Sequence, residues 1–154
     1  MSAVDTDGMD LGPVLRAALP GAELLACTAL AGQASTRRYY RLALRGGPAT
    51  LIAMRLPDDP ALAFGSDEGM DGGPAVATRL PFLEVQRFLA EREVPVPAVA
   101  GAVLDRRVVL LEDLGDESFE ARLEATPAEG WAPLYDAAVD TLAAMHLRTE
   151  APSA

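Results

Sequence analysis

Residues 30–56 read LAGQASTRRYYRLALRGGPATLIAMRL, and the pattern of this stretch decides the fold. In its first half, Tyr40, Leu42 and Leu44 alternate with other residues and therefore share one face of a strand. The Gly-Gly-Pro sequence that follows is typical of a turn. Residues 50–56 are apolar on both faces, which favours a central strand packed under a helix. The stretch therefore predicts a β-hairpin.

The segments around this hairpin predict the other strands and helices through their periodicity and their Gly and Pro residues. Further strands are expected at residues 22–31, 99–104 and 108–112. Helices are expected at residues 11–19, 81–93 and 118–125, with a last helix that ends near residue 147. The acidic residues 57–78 show no periodicity and predict a long loop. This order of elements predicts an α+β fold.

Two helices carry apolar stripes that we expect to be buried. In the helix that begins at Pro81 the stripe consists of Phe82, Val85, Phe88 and Leu89. In the last helix it consists of Leu134, Ala138, Leu142 and Met145. Asp10 is expected to cap the first helix. Thr126 and Glu129 have the spacing of a capping box, and Trp131 is expected to anchor the last helix.

Composition and charge exclude several classes of function. The formal net charge of -10 argues against nucleic acid or an anionic membrane as the main partner. Cys27 is the only cysteine, so an intrachain disulfide and a cysteine-based metal cluster are impossible. No apolar run approaches the ~18 residues of a membrane span. The acidic N-terminus lacks the basic and apolar regions of a signal peptide, so a cytoplasmic protein is expected.

Three motifs resemble those of the aminoglycoside-phosphotransferase-like family of kinase-fold enzymes. Residues 32–41 read GQASTRRYYR and are similar to the family's G-D-A-S-F-R-R-Y-F-R segment. Residues 109–116 read VLLEDLGD and are similar to its L-L-L-E-D-L-G-D segment. Residues 142–146 resemble its L-x-x-L-H helix ending. Within the family, the chain most resembles kinases that phosphorylate N-acetylmuramate and N-acetylglucosamine at the anomeric position.

The resemblance implies a protein-kinase-like N-terminal lobe, with about five antiparallel strands and one packed helix, at residues 22–112. A tail and short helix at residues 1–21 would precede this lobe. The hinge and the first helices of the C-terminal lobe would occupy residues 113–154. The implied activity is transfer of a phosphoryl group from ATP to a sugar or aminoglycoside-type acceptor, with Mg²⁺ bound only when the rest of the C-terminal lobe is present.

The resemblance also implies a phosphate-binding role for several residues. Ser35, Arg37 and Arg38 would cradle phosphate in the first hairpin. Arg55 ends a strand where the kinase fold usually has a phosphate-binding Lys, and Glu84 would fix its position as an ion-pair partner. Spacing leaves open whether Glu84 or Arg87 faces the strand. Without the resemblance, all these charged residues would be read as solvated surface groups.

The resemblance places the adenine at the hinge, where backbone groups of Glu112 and Leu114 would bind it. Glu112 and Asp113 are adjacent in extended chain, so their carboxylates should point to opposite faces rather than form an acid pair. His146 is expected at a helix end without a catalytic role.

The family's catalytic H-G-D segment, with an Asn five residues later, does not occur in this sequence. The only histidine is His146, and Leu-Arg follows it. Because that segment positions the acceptor hydroxyl and holds metal, this chain alone is expected to be inactive. A separate C-terminal-lobe chain is a candidate partner. The alternative is a non-catalytic nucleotide-binding or protein-interaction module.

Overall fold

The structure, a computed structural model, describes residues 10–31, 36–58 and 80–150. The chain forms two compact units. The first unit comprises Met1–Glu84 and Pro97–Asp113, and the second comprises Val85–Val96 and Leu114–Ala154. The predicted loop at residues 57–78 lies outside the described residues, apart from Pro57 and Asp58 at its start.

A five-stranded antiparallel sheet forms the body of the first unit. Its strands are β1 (Glu23–Ala29), β2 (Arg38–Arg45), β3 (Thr50–Arg55), β4 (Val99–Val103) and β5 (Val108–Glu112). The spatial order is β1-β2-β3-β5-β4, so β3 is central, as its two apolar faces predicted. The predicted α+β fold and the two predicted hairpins are therefore confirmed.

One face of the sheet packs against helix α1 (Gly12–Ala18). The buried side chains on this side include Leu11, Val14 and Leu15 from the helix segment and Tyr40 and Leu42 from β2. The helix lies so close to β4 that a Cβ atom at Gly101 would be 2.4 Å from that of Ala18. The Asp10 carboxylate accepts a hydrogen bond from the Gly12 N–H (3.0 Å), in agreement with the predicted cap.

The opposite face of the sheet is covered by the start of helix α2 (Pro81–Ala90). A second buried cluster contains Met54 and Leu56 together with Leu80, against which Phe82 and Leu83 pack. Helical segments therefore pack against both faces of the sheet.

The apolar stripe predicted for α2 is partly wrong. Val85 and Phe88 are exposed, whereas Leu83, Gln86 and Leu89 are half-buried with Phe82. The half-buried face of the helix therefore differs from the predicted one. A prediction based on apolar residues alone does not include a polar residue such as Gln86 in the buried face. The helix also ends three residues before the predicted end, since Glu93 has a left-handed backbone (φ 57°).

The second unit contains helix α3 (Phe119–Glu124) and helix α4 (Trp131–Thr149), separated by a short 3-10 helix, Ala128–Gly130. Ser118 caps α3, because its hydroxyl accepts a hydrogen bond from the Ala121 N–H (3.1 Å). The predicted capping role of Thr126 is wrong. Its hydroxyl instead donates to the Arg122 carbonyl (2.7 Å), and Pro127 precedes the 3-10 helix.

Trp131 joins α4 to the end of α3 through hydrogen bonds. Its indole N–H donates to the carbonyls of Leu123 (3.1 Å) and Thr126 (2.8 Å). These bonds hold the start of α4 to the end of α3, and the anchoring of the last helix to the lobe by Trp131 stays a prediction.

The stripe predicted to be buried on α4 is wrong for the described chain. Leu134 and Met145 are only half-buried, while Ala138 and Leu142 are exposed. Among the described residues of the second unit, Val94 alone is buried. Within the second unit, Met145 lines a small cavity together with Val94 and Pro95, so only part of the predicted stripe is covered. Across the described ranges, no helix has both the length and the apolar character to cross a bilayer.

Candidate functional site

A cavity of about 200 Å³ lies in the first unit, where strand β2 begins and strand β3 ends. Its walls come from the start of β2 and from the chain that leaves β3. The lining residues are Thr36, Arg38, Arg55, Leu56, Pro57 and Asp58. Two residues of the predicted phosphate-binding set, Arg38 and Arg55, are thus brought together.

Arg38 and Arg55 are direct partners in the antiparallel register of β2 and β3. Side chains of like charge at directly opposite positions destabilise a sheet. The Asp58 carboxylate lies 3.7 Å from the Arg55 Nη2 atom, but Asp58 is 84% exposed. A pair this exposed offsets little of the repulsion. The arrangement favours an anion in the cavity, and guanidinium groups suit phosphate oxygens through paired hydrogen bonds.

Arg107 braces the wall of this cavity from the turn between β4 and β5. Its backbone carbonyl accepts a hydrogen bond from the Leu56 N–H (2.8 Å). Its guanidinium donates to the carbonyls of Pro57 (3.4 Å) and Asp58. It also lies 3.4 Å from the Asp58 carboxylate. Neither Arg107 nor Asp58 was predicted at this site, and Asp58 belongs to the segment that was predicted to be a long loop.

The other residues predicted at the phosphate end have separate locations. The Arg37 guanidinium lies over the Phe82 ring, 5.5 Å from its centroid, because alternation directs it away from Arg38. Glu84 is an exposed residue in the first turn of α2. Since Arg55 pairs with Asp58, the role of Glu84 as its partner stays a prediction. Ser35 lies outside the described residues.

The end of β5 is held by side chains that point in different directions. The Glu112 carboxylate accepts a hydrogen bond from the Ala98 N–H (3.0 Å), and the Glu112 N–H donates to the Ala98 carbonyl (2.8 Å). The Asp113 side chain turns instead to Arg41. The two carboxylates therefore do not form an acid pair, as predicted. Leu114, the other predicted hinge residue, opens the second unit and is 69% exposed.

Arg41 and Asp113 form a two-pronged ion pair between residues 72 positions apart. The Arg41 Nε atom is 2.7 Å from Asp113 Oδ2, and its Nη2 atom is 3.0 Å from Oδ1. The Asp113 side chain is 7% exposed and that of Arg41 is 25% exposed. This pair connects the end of GQASTRRYYR with the centre of VLLEDLGD, so the two motifs that resemble the family meet in space.

Metal-binding potential is low in the described ranges. Residues 10–31, 36–58 and 80–150 contain no cluster of three or more His, Cys, Asp or Glu side chains able to hold a metal ion. His146 is exposed on α4, outside the cavity described above. Arg38 and Arg55, which line the cavity, are side chains that can bind an anion.

Comparisons with known proteins agree with this chemistry. The model of the phosphotransferase enzyme family matches residues 26–153. An N-acetylmuramate/N-acetylglucosamine kinase from Caulobacter vibrioides is 34% identical over 131 residues, which cover 76% of this chain and 34% of the relative. The chain thus spans about a third of the length of the curated relative it matches. No solved structure matches it significantly. The chain belongs to the phosphotransferase enzyme family.

Proposed function

We propose that this chain binds the phosphates of ATP and forms the nucleotide-binding part of a kinase that phosphorylates a sugar. The observation that carries the proposal is the direct pairing of Arg38 with Arg55 beside a cavity. Like-charged side chains at directly opposite positions destabilise a sheet, and an anion bound beside them reduces this repulsion. Membership of the phosphotransferase enzyme family supports phosphate as that anion.

The size and chemistry of the cavity fit the phosphate end of a nucleotide. At about 200 Å³, the cavity is smaller than the roughly 300–1,000 Å³ typical of sites for drug-sized ligands. It therefore suits phosphate groups rather than a whole ATP molecule. Thr36 places a hydroxyl group in the same wall as the two guanidinium groups, which adds a neutral hydrogen-bond donor.

Magnesium fits the described cavity less well than phosphate does. Mg²⁺ binds through carboxylate oxygens and substrate phosphates. Among the lining residues that the structure describes, only Asp58 carries a carboxylate. We therefore propose that Mg²⁺ arrives with ATP and takes its protein ligands from residues other than this lining. MgATP, when bound, supplies the phosphoryl group that is transferred.

The residues of this chain would act by positioning and by neutralising charge. Arg38 and Arg55 would hold phosphate oxygens from two adjacent strands, which limits rotation of the phosphate chain. The Asp58 carboxylate would leave Arg55 when phosphate binds, because two anions cannot share one guanidinium favourably. The backbone carbonyl of Glu112 would accept a hydrogen bond from the adenine at the end of β5, since the Glu112 N–H donates to the Ala98 carbonyl.

We propose a sugar as the acceptor because the Caulobacter vibrioides relative is named as a kinase of two amino sugars. The chain aligns with a third of that relative. The residues that activate the acceptor hydroxyl would therefore lie in a region equivalent to the part of the relative that this chain does not match. That region could belong to the same polypeptide or to a separate one. If no such region acts with this chain, the alternative is a non-catalytic nucleotide-binding module.

Isothermal titration calorimetry with ATP, tripolyphosphate and adenosine tests this proposal. We expect ATP and tripolyphosphate to bind about tenfold or more tightly than adenosine, because two charge-assisted contacts depend on the phosphates. The affinity for both polyanions should fall as salt rises, since Arg38 is exposed and Arg55 is only partly buried. Equal binding of ATP and adenosine, with no dependence on salt, would contradict a phosphate site.

A further inference from the structure

We propose that Arg107 is a positioning residue for the phosphate cavity. It holds the three residues that follow Arg55, and so fixes the direction in which the Arg55 guanidinium reaches the ligand. This inference rests on the proposed function, because it assigns a role in the binding of the same phosphates.

The first support is the number of cavity residues that Arg107 contacts. It binds Leu56 through its own backbone carbonyl (2.8 Å), and Pro57 and Asp58 through its guanidinium. These are three of the six residues that line the cavity, and they are consecutive. Arg107 thus holds three consecutive residues after Arg55, the first through its backbone carbonyl and the other two through its guanidinium. If its side chain were removed, the chain after β3 would lose its side-chain hydrogen bonds to the β4–β5 turn.

The second support is the backbone of Arg107. Its φ of 56° and ψ of 37° lie in the left-handed region, which costs a residue with a Cβ atom about 1 kcal/mol. Glycine adopts this conformation without that cost and is the usual residue there. The Arg107 N–H closes the turn by donating to the Leu104 carbonyl (3.0 Å), a bond that any non-proline residue could make. The backbone of the turn would therefore favour glycine, and the arginine contributes its side-chain contacts instead.

The third support is the shared position of Asp58 between two arginines. Its carboxylate lies 3.4 Å from Arg107 Nη1 and 3.7 Å from Arg55 Nη2. Arg107 also holds the Asp58 backbone carbonyl, so Asp58 keeps its place at the cavity when its carboxylate leaves Arg55. Phosphate can therefore displace the Asp58 carboxylate from Arg55 while Arg107 keeps the Asp58 backbone in place.

Arg107→Gly tests the inference, because glycine preserves the turn while removing the side chain. We expect this variant to melt within a few degrees of the wild-type chain, since relief of the left-handed backbone offsets lost hydrogen bonds. Its affinity for tripolyphosphate should fall about tenfold. Arg107→Lys should recover part of the loss, because an ammonium group can donate to one of the two carbonyls. A purely structural role would lower stability and affinity together.

Arg106→Gln is the matched control, since Arg106 is exposed on the same turn and carries the same charge. It should bind tripolyphosphate like the wild-type chain. Normal binding by Arg107→Gly, beside lost binding by Arg55→Gln, would overturn the positioning role alone. Equal losses in Arg106→Gln and Arg107→Gly would also overturn it, as a general charge effect. If the wild-type chain does not bind tripolyphosphate, the proposed function fails and this inference fails with it.

Discussion

Replacing Arg38 and Arg55 together with glutamine is expected to lower the affinity for tripolyphosphate by about a hundredfold or more. Each hydrogen bond from a charged donor contributes roughly 1.5–3 kcal/mol, and every 1.4 kcal/mol is about tenfold in affinity. Two such donors line one cavity of about 200 Å³, so both contributions are lost at once. Calorimetric titration of wild-type and variant chains measures the difference.

The same double substitution should leave the unliganded chain as stable as the wild type or slightly more stable. The two guanidinium groups oppose each other across β2 and β3, and like-charged pairs at such positions destabilise a sheet by roughly 0.2–1 kcal/mol. Thermal unfolding without ligand checks this second effect. Loss of binding together with unchanged or raised stability distinguishes a ligand site from a structural one.

Arg45→Gln provides the control for this experiment. Arg45 lies at the other end of β2, pairs with Glu23 at 3.1 Å and is 70% exposed. It removes the same charge from the same strand but lies outside the cavity lining. An equal loss of affinity in Arg45→Gln would show a general electrostatic effect and would contradict a defined site.

Replacing Asp113 with alanine is expected to have the largest effect on stability, roughly 2–3 kcal/mol in the free energy of unfolding. Removal of one partner from a buried ion pair costs about 3–5 kcal/mol, and the partial exposure of Arg41 reduces this figure. The variant would remove both hydrogen bonds that the Arg41 guanidinium donates to the Asp113 carboxylate. Urea unfolding followed by circular dichroism measures the change.

Two further variants make this measurement specific. Glu23→Ala removes an ion pair that is exposed at both ends and should cost at most about 0.5 kcal/mol. Arg41→Leu combined with Asp113→Leu should cost less than Asp113→Ala, because no buried charge is left without its partner. If Asp113→Ala were no more destabilising than Glu23→Ala, the pair would have no structural role at the end of β5.

The parts of the fold that the sequence predicted are those encoded by local periodicity. Alternation in β2 separated Tyr40 and Leu42 from Tyr39, and the structure places the two sets in different clusters on opposite faces of the sheet. Turn residues such as Gly46, with φ 82°, marked the ends of the strands. A period of two residues and a turn signal are sufficient for this prediction, since neither requires knowledge of a distant partner.

The cavity could be predicted only in part, because its residues come together through register and through a turn far along the chain. Arg38 and Arg55 were expected at the site from the resemblance, but their direct pairing follows from the β2–β3 register. Arg107 is about fifty residues beyond the chain that it holds, and its backbone conformation is unusual for arginine. Asp58 lies in a segment with several acidic residues, and the sequence does not indicate which of them lies at the cavity.

Burial on the helices was predicted less well than their positions. Val85 and Phe88 were assigned to the core of α2, but Leu83 and Gln86 take the half-buried positions. A helix of ten residues presents overlapping apolar stripes, and the neighbouring element decides which of them is buried. On α4 the predicted stripe contains exposed residues such as Leu142, because burial is a property of packing partners rather than of periodicity.

The most direct test of a phosphate site between β2 and β3 is a titration of the ¹⁵N-labelled chain with tripolyphosphate, followed through the arginine Nε–H signals in NMR spectra. Substitution of each arginine by lysine assigns the signals. We expect the Arg38 and Arg55 signals to shift together and to saturate with one dissociation constant, while the Arg45 and Arg106 signals stay in place. Shifts that grow linearly with the tripolyphosphate concentration and are similar for all the arginines would contradict the site. Saturable shifts of other arginines, without shifts of Arg38 and Arg55, would contradict it as well.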